Sequence, residues 1–112
     1  MISGWGRTKQ FNSNIFKPKD NNELRHFIKN HKKIISRGLG RSYGFSSISD
    51  NVVDLSSFLE KKFKIIKNKN ILECHSSFSI KHIIDELLKK GLFLPVTSGT
   101  KYVTIGGAIA SD

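Results

Sequence analysis

The chain has 112 residues and a formal net charge of +10, a size that fits one domain with a modest core. Its basic residues are mostly lysines scattered through Ile- and Asn-rich sequence, which is not the dense basic run of a nucleic-acid-binding segment. The single cysteine, Cys74, excludes an internal disulfide, and the four histidines lack metal-ligand spacing. The first ten residues lack the apolar core of a signal peptide, so we expect a reducing, cytoplasmic environment.

The predicted elements begin with a short strand over residues 14–17 and a helix that starts after Asp20. Asp20 and Glu23 are spaced as in a capping box, and apolar residues such as Phe27 and Ile28 then recur at helical spacing. A strand over residues 32–36 follows. The segment before this unit, in which Trp5 stands between two glycines, fits either a flexible terminus or a segment that packs across a ligand or a domain seam.

The second half of the chain predicts three strands, a helix and a last strand. The three strands are residues 51–55, 63–66 and 70–75, and the last two are antiparallel around a turn at Asn68 and Lys69. Ser79 is a good N-cap for a helix with a buried apolar stripe, and Gly91 is placed to end that helix. Residues 92–96, which include Pro95, complete the pattern as a strand.

The element order predicts one α+β domain over residues 1–112, a mixed α/β sandwich. On the exposed face of its second helix, Asp85 with Lys89 and Glu86 with Lys90 have the i, i+4 spacing of ion pairs.

A glycine-rich loop follows the strand at residues 32–36 and has the composition of an anion-binding cradle. Gly38, Gly40 and Gly44 permit positive φ angles and close backbone approach, and Arg37 and Arg41 add positive charge. The expected guest is a phosphate or pyrophosphate. The spacing matches neither the dinucleotide-binding fingerprint nor a P-loop, and such a loop taken alone is also explained as a simple turn.

Residues 97–112 form a second segment suited to an anion. Small residues at 106–108 leave the backbone accessible at the predicted start of a helix, where N–H groups favour a phosphate. Close packing of the helix in a core explains the same residues. Two such segments flanking one sheet favour a shared ligand.

Three motifs together resemble one known family. RGLGRSYG at residues 37–44, SGTKYVTIGGAIASD at 98–112 and SGWGRT at 3–8 are similar to the FAD-binding domain of the vanillyl-alcohol-oxidase and p-cresol-methylhydroxylase (PCMH) type. Within this family, the likeness is greatest to the subgroup that contains the oxidase subunit of decaprenylphosphoryl-β-D-ribose 2′-epimerase. The resemblance covers nearly the whole chain and implies the N-terminal subdomain of a PCMH-type domain.

The resemblance implies which residues bind FAD. The pyrophosphate would be held by Ser36, Arg37, Gly38, Leu39, Gly40, Arg41, Ser42, Tyr43, Gly44, Phe45 and Ser46. The isoalloxazine ring would lie beside Gly99, and the near wall of its site would comprise Thr104, Ile105, Gly106, Gly107, Ser111 and Asp112. No catalytic acid or base and no metal ligand is assigned.

The chain departs from the family pattern at three places. Tyr43 stands where many relatives carry the histidine that is bonded to the flavin, which implies a noncovalent FAD. Phe45 replaces an aspartate of the subgroup. The family motif continues past the position of Asp112, so we expect an N-terminal fragment that alone is inactive and binds FAD weakly or not at all.

The resulting prediction is a flavoprotein of the oxidoreductase class that acts on an alcohol carbon of a sugar-like or polyprenyl-phospho-sugar substrate. Two alternatives stay open. The first is a small basic nucleic-acid-binding module, which would need exposed aromatic rings on its lysine-bearing face, whereas we expect Phe63 and Phe78 to be buried. The second is a non-catalytic remnant of the FAD domain.

Overall fold

A computed structural model describes residues 1–111 of the protein. The strands are β1 (Ile2–Ser3), β2 (Gln10–Phe11), β3 (Asn14–Phe16), β4 (Ile34–Ser36), β5 (Asn51–Val53), β6 (Phe63–Ile66) and β7 (Ile71–Cys74). The helices are α1 (Asn21–Asn30), α2 (Ile80–Leu88) and α3 (Ile105–Ser111), with short 3₁₀ turns at Leu55–Ser57 and Lys67–Lys69. This mixture confirms the α+β class.

A three-stranded parallel sheet in the order β3-β5-β4 supports the glycine loop. Its central strand, β5, contributes Val52 and Val53, which are both buried. Helix α1 is the crossover between β3 and β4, and the ring of its buried Phe27 stacks on Phe16 with centroids 4.3 Å apart. The loop therefore leaves the carboxyl end of an edge strand of this sheet, where ligands of parallel sheets commonly bind.

Asp20 caps α1 as predicted, but Glu23 does not complete the predicted capping box. The Asp20 side chain accepts hydrogen bonds from the N–H groups of Asn22 and Glu23, at 2.7 and 2.9 Å. The Glu23 carboxylate accepts from the N–H of Lys19 at 2.7 Å, one residue before the position that a capping box uses. Ile28, predicted on the buried face, is 51% exposed because α1 packs on the sheet mainly through Phe27.

Helix α2 begins and ends at the predicted residues. The hydroxyl of Ser79 accepts from the N–H of His82 at 3.1 Å, and the Ile80, Ile83 and Leu87 side chains are buried. Gly91 adopts a φ of 67°. The N–H of Gly91 donates to Leu88 O and that of Leu92 to Leu87 O, both at 3.0 Å, which is the Schellman ending of a helix.

The ion pairs predicted on α2 are wrong, because both carboxylates pair with lysines other than the predicted ones. The structure pairs Lys81 with Asp85 and Lys89 with Glu86. Asp85 is thus paired with a lysine in the preceding turn rather than with Lys89. Lys89 instead pairs across one turn with Glu86, three positions away, which is also a neighbour on a helix surface.

Residues 92–96 do not form the predicted strand. The N–H of Leu92 is used to end α2, and Pro95 has no N–H to donate to a ladder. The antiparallel pair of β1 and β2, in which Ile2 faces Phe11, was not predicted, because strands of two residues carry no readable alternation. It shows that the N-terminal segment is packed rather than flexible.

Strands β6 and β7 pair antiparallel as predicted, and the chain turns between them through Lys67–Lys69 and Asn70, which has a φ of 51°. Phe63 and Phe78 are half-buried and meet edge to face, with centroids 5.5 Å apart. Within residues 1–111, no helix is long and apolar enough to span a membrane, and no group of three or more potential metal ligands is present.

Candidate functional site

The two glycine-containing segments predicted to share a ligand line one open groove of about 1400 Å³. Residues 36–42, 46 and 47 form one wall, and residues 103–111 form the other. The lining is completed by Lys17, Ile35 and residues 53–56, 76, 77, 80, 94 and 96–98. The structure thus brings together most of the predicted site residues.

The two walls meet where Gly38 approaches Thr104. A Cβ atom on Gly38 would lie 2.9 Å from Thr104 Cγ2 and closer still to Thr104 Oγ1, so only glycine fits. Thr104 is 8% exposed, and its hydroxyl accepts a hydrogen bond from the N–H of Gly107 at 3.1 Å. The contact joins the loop after β4 to the N-cap of α3.

The glycine loop presents a run of unused backbone donors. Within residues 1–111, the N–H groups of Gly38–Ser42 donate to no protein acceptor, whereas the N–H of Arg37 still bonds to Val53 O at 2.9 Å. Gly40 has a φ of 66°, the left-handed conformation that glycine adopts without strain. Consecutive free N–H groups beside a groove form a site that favours an anion.

The first turn of α3 is not an anion site, which corrects the sequence-based interpretation of that segment. The N–H of Ile105 donates to Phe78 O at 2.8 Å, and the N–H of Gly106 donates to Ser76 O at 3.0 Å. The N–H of Gly107 donates to Thr104, as described above. A Cβ atom on Gly106 would lie 3.1 Å from Ser76 O. The lack of a side chain at Gly106 therefore allows α3 to pack closely against Ser76.

Arg37 ties the glycine loop to the rest of the domain. Its Nη1 donates to the hydroxyl of Ser47 at 2.9 Å, and its Nη2 donates to Ser3 O at 2.7 Å. Burial lowers the pKa of Arg37, an effect partly offset by the nearby carboxylate of Asp54. A Cβ on Gly40 would lie 2.7 Å from Arg37 Cζ, so this glycine makes room for the guanidinium.

Arg41 connects three separate segments at the rim of the groove. Its Nε donates to Tyr102 O at 3.2 Å, and its guanidinium lies over the Trp5 ring, 4.4 Å from the centroid. The N-terminal segment therefore packs beside the glycine loop and the segment that contains Tyr102, and a role for Trp5 in covering a ligand stays a prediction. Trp5 remains 47% exposed and forms part of the surface beside the loop.

Asp54 lies in the groove at the carboxyl end of β5, and sequence analysis did not single it out. Burial alone would raise the pKa of Asp54, but hydrogen bonds from Ser56 and the ion pair with Lys17 at 3.3 Å lower it on balance. Asp54 therefore stays ionised at neutral pH. Its position directly after the buried NVV strand was the available sequence signal.

Several predicted site residues lie away from the groove lining, namely Tyr43, Gly44, Phe45 and Gly99. Tyr43 is 86% exposed, and Phe45 packs edge to face on Phe11 with centroids 5.0 Å apart. Gly44 has a φ of 58°. Its carbonyl oxygen lies against Gly4, and a Cβ atom on Gly4 would collide with that oxygen. Asp112 lies outside the described residues.

Comparison with known proteins finds a distant relative. The chain is 29% identical, over an alignment 118 positions long, to decaprenylphosphoryl-beta-D-ribose oxidase of Mycolicibacterium smegmatis. The alignment covers 99% of the chain and 25% of the relative, so the chain spans about a quarter of that protein's length. No protein-family model matches the chain. The chain is thus distantly similar, along nearly its whole length, to one part of an oxidase.

Proposed function

We propose that the chain is the pyrophosphate-binding part of a PCMH-type FAD-binding domain in an FAD-linked oxidoreductase. The observation that carries the proposal is the run of N–H groups in Gly38–Ser42, which have no acceptor among residues 1–111 and line the groove. Leaving so many backbone donors unpaired in a folded loop is costly unless water or a ligand accepts from them. Oxygens of a pyrophosphate satisfy several such donors at once.

The volume of the groove, about 1400 Å³, supports a ligand larger than a single phosphate. Its lining includes hydroxyl side chains such as Ser36, Ser42 and Ser77 and apolar side chains such as Leu94, Ile105 and Ile109. A dinucleotide with a charged centre and aromatic ends matches this mixed lining. When bound, FAD would supply the redox chemistry by accepting a hydride from an alcohol carbon.

The absence of histidine from the lining supports a noncovalent flavin. All four histidines belong to the described residues, and the groove is lined by none of them. The name of the mycobacterial relative supports a polyprenyl-phospho-sugar as the substrate class. We assign no catalytic base for the alcohol proton within residues 1–111.

The proposal is tested on the polypeptide as its gene encodes it, including any residues that follow position 112. We expect the purified protein to carry FAD and the Gly40→Val variant to lose it, because valine forbids the φ of 66° and collides with Arg37. Gly91→Val is the matched control. The φ of Gly91 is 67°, so valine suffers the same backbone strain there, at a position that does not line the groove.

Flavin content is read from the absorption spectrum after equal purification, and folding from circular dichroism. The proposal predicts that Gly91→Val retains flavin in its folded fraction and that Gly40→Val does not. A parent protein that purifies without flavin and takes up none on incubation with FAD contradicts the proposal. So does a Gly40→Val protein with normal flavin content.

A further inference from the structure

A second, smaller pocket lies between the glycine loop and the turn after β1. Its volume is about 170 Å³, and it shares residues 37 and 39–41 with the groove. Trp5 and three arginines, Arg7, Arg37 and Arg41, line it. The chain has only one further arginine, Arg25. None of its lysines, which make up the rest of the 19 basic residues, lines the pocket.

Protein groups balance the charge of this pocket only in part. No aspartate or glutamate lines it, and the five ion pairs among residues 1–111 all use lysines. The carboxylate of Asp54 acts on Arg37 from the groove. Three guanidinium groups with no carboxylate among the lining residues repel one another, and an anion between them would relieve that repulsion. Arginine is also the side chain best suited to hold a planar or tetrahedral oxyanion by two hydrogen bonds.

Most of the available donors belong to two of the three arginines. Arg37 already uses three of its five N–H groups on Ser47 and Ser3, so it contributes mainly charge. Arg41 uses only Nε, which leaves its two Nη atoms free of protein acceptors in the described part of the chain. The Arg7 guanidinium has no hydrogen bond or ion pair with residues 1–111.

The backbone at Arg7 is a further observation that points to a ligand. Arg7 has a φ of 53°, a left-handed conformation that is uncommon for a residue with a long side chain. Its N–H bonds to Gly4 O at 3.1 Å, which holds the turn and directs Arg7 to the pocket lining. Strained residues of this kind are concentrated at binding sites.

We propose that this three-arginine pocket, formed by Trp5, Arg7, Arg37 and Arg41, binds the phosphate group of a phosphate ester or inorganic phosphate. Its volume suits one such group and excludes a dinucleotide, so its ligand differs from that of the groove. The Trp5 ring provides a rigid wall that orients the Arg41 guanidinium. The inference rests on charge and geometry at this pocket and does not depend on flavin binding.

The test is a titration of the purified chain with inorganic phosphate, against sodium chloride of equal ionic strength. Trp5 is the only tryptophan, and its contact with Arg41 makes its fluorescence a local reporter. We expect a saturable change with phosphate and none with chloride. Arg7→Asn should weaken phosphate binding by about tenfold, since it removes one charge-assisted pair and asparagine tolerates positive φ.

Arg25→Asn is the matched control, because it removes the same charge from the exposed surface of α1. It should change the phosphate affinity by less than about twofold, as screened, distant charges do. Arg7→Lys provides a second variant that keeps the charge and loses the planar fork, and it should bind with intermediate affinity. The proposal is overturned if the parent protein responds to phosphate no more than to chloride. It is also overturned if folded Arg7→Asn keeps the parent's affinity for phosphate, or if Arg7→Asn and Arg25→Asn lose the same amount of that affinity.

Two esters identify the source of the phosphate. Methyl phosphate represents a monoester, and dimethyl phosphate represents the diester linkage of a lipid-linked sugar. Tighter binding of either ester than of inorganic phosphate assigns the pocket to a substrate headgroup, and tighter binding of inorganic phosphate assigns it to the free ion. Loss of flavin binding in the protein would not alter these titrations, so the two proposals fail separately.

Discussion

Gly38 and Thr104, which lie 66 residues apart in the chain, touch so closely that no side chain fits between them. A Cβ on Gly38 would be 3.2 Å from Thr104 Cβ and 2.9 Å from its Cγ2. This contact sets the separation between the loop that offers free N–H groups and the helix that forms the opposite wall of the groove. The width of the groove at this point therefore depends on one glycine and one threonine.

Replacing Gly38 with alanine should destabilise the domain by about 1–3 kcal/mol, the usual cost of overpacking a closed site. Thr104→Ala alone should cost about 1 kcal/mol through loss of the N-cap of α3. The double variant should be more stable than the sum predicts, because removing Oγ1 and Cγ2 relieves the clash. Urea unfolding of all four proteins measures this coupling, and strictly additive losses would show that the two residues do not press on each other.

The flavin should be released by denaturation. No histidine lines the groove, so we expect no histidine of residues 1–111 to form a bond to the flavin ring. Acid precipitation of the flavin-loaded protein should leave all the flavin in the supernatant. Yellow colour retained in the washed pellet would contradict a noncovalent cofactor.

Asp54 should make stability depend on pH in the acid range. Its pKa in the folded protein lies below the ordinary value of 3.8, so it binds protons more readily when unfolded. The stability that the ionised Asp54 contributes is therefore fully present at pH values above its ordinary pKa. It is lost as the pH falls through the lower pKa that Asp54 has in the folded protein. The difference in unfolding free energy between the parent and Asp54→Asn should shrink over this window.

The measurement is urea unfolding of both proteins from neutral pH down to the lowest pH at which the parent folds. Comparing the two proteins at each pH cancels the contributions of Asp85 and Glu86, whose pKa values are also lowered by lysine partners. A difference that stays constant from neutral to acid pH would mean that the Asp54 charge does not stabilise the fold.

Binding to nucleic acid should be weak and should fall steeply with salt. The lysines are dispersed, and the half-buried Phe63 and Phe78 rings pack on each other, which leaves no evident platform for stacking bases. Fluorescence anisotropy with a labelled oligonucleotide at several salt concentrations tests this expectation. Submicromolar affinity at about physiological salt, well beyond nonspecific binding, would instead favour the nucleic-acid alternative.

The sequence by itself determined the features that depend on neighbours within a few residues. The caps at Asp20 and Ser79 and the helix end at Gly91 follow from hydrogen bonds that span three to five positions, so the local sequence specifies them. The glycine-rich loop after β4 and the segment over residues 97–112 were also recognisable from the sequence, because both are rich in glycine and other small residues. Their flanking positions favoured a shared ligand, which stays a prediction, and the structure places both segments in the lining of one groove.

The tertiary structure alone decided which polar groups remain free. The sequence shows N–H groups in both glycine segments, but those of α3 bond to Ser76 and Phe78, which a distant turn brings beside them. Likewise, Arg7 lies 30 or more positions from Arg37 and Arg41, and only the packing of the N-terminal hairpin gathers them. Hydrogen-bond partners and neighbouring charges are set by distance in space, and for residues far apart in the chain that distance exists only once the fold has formed.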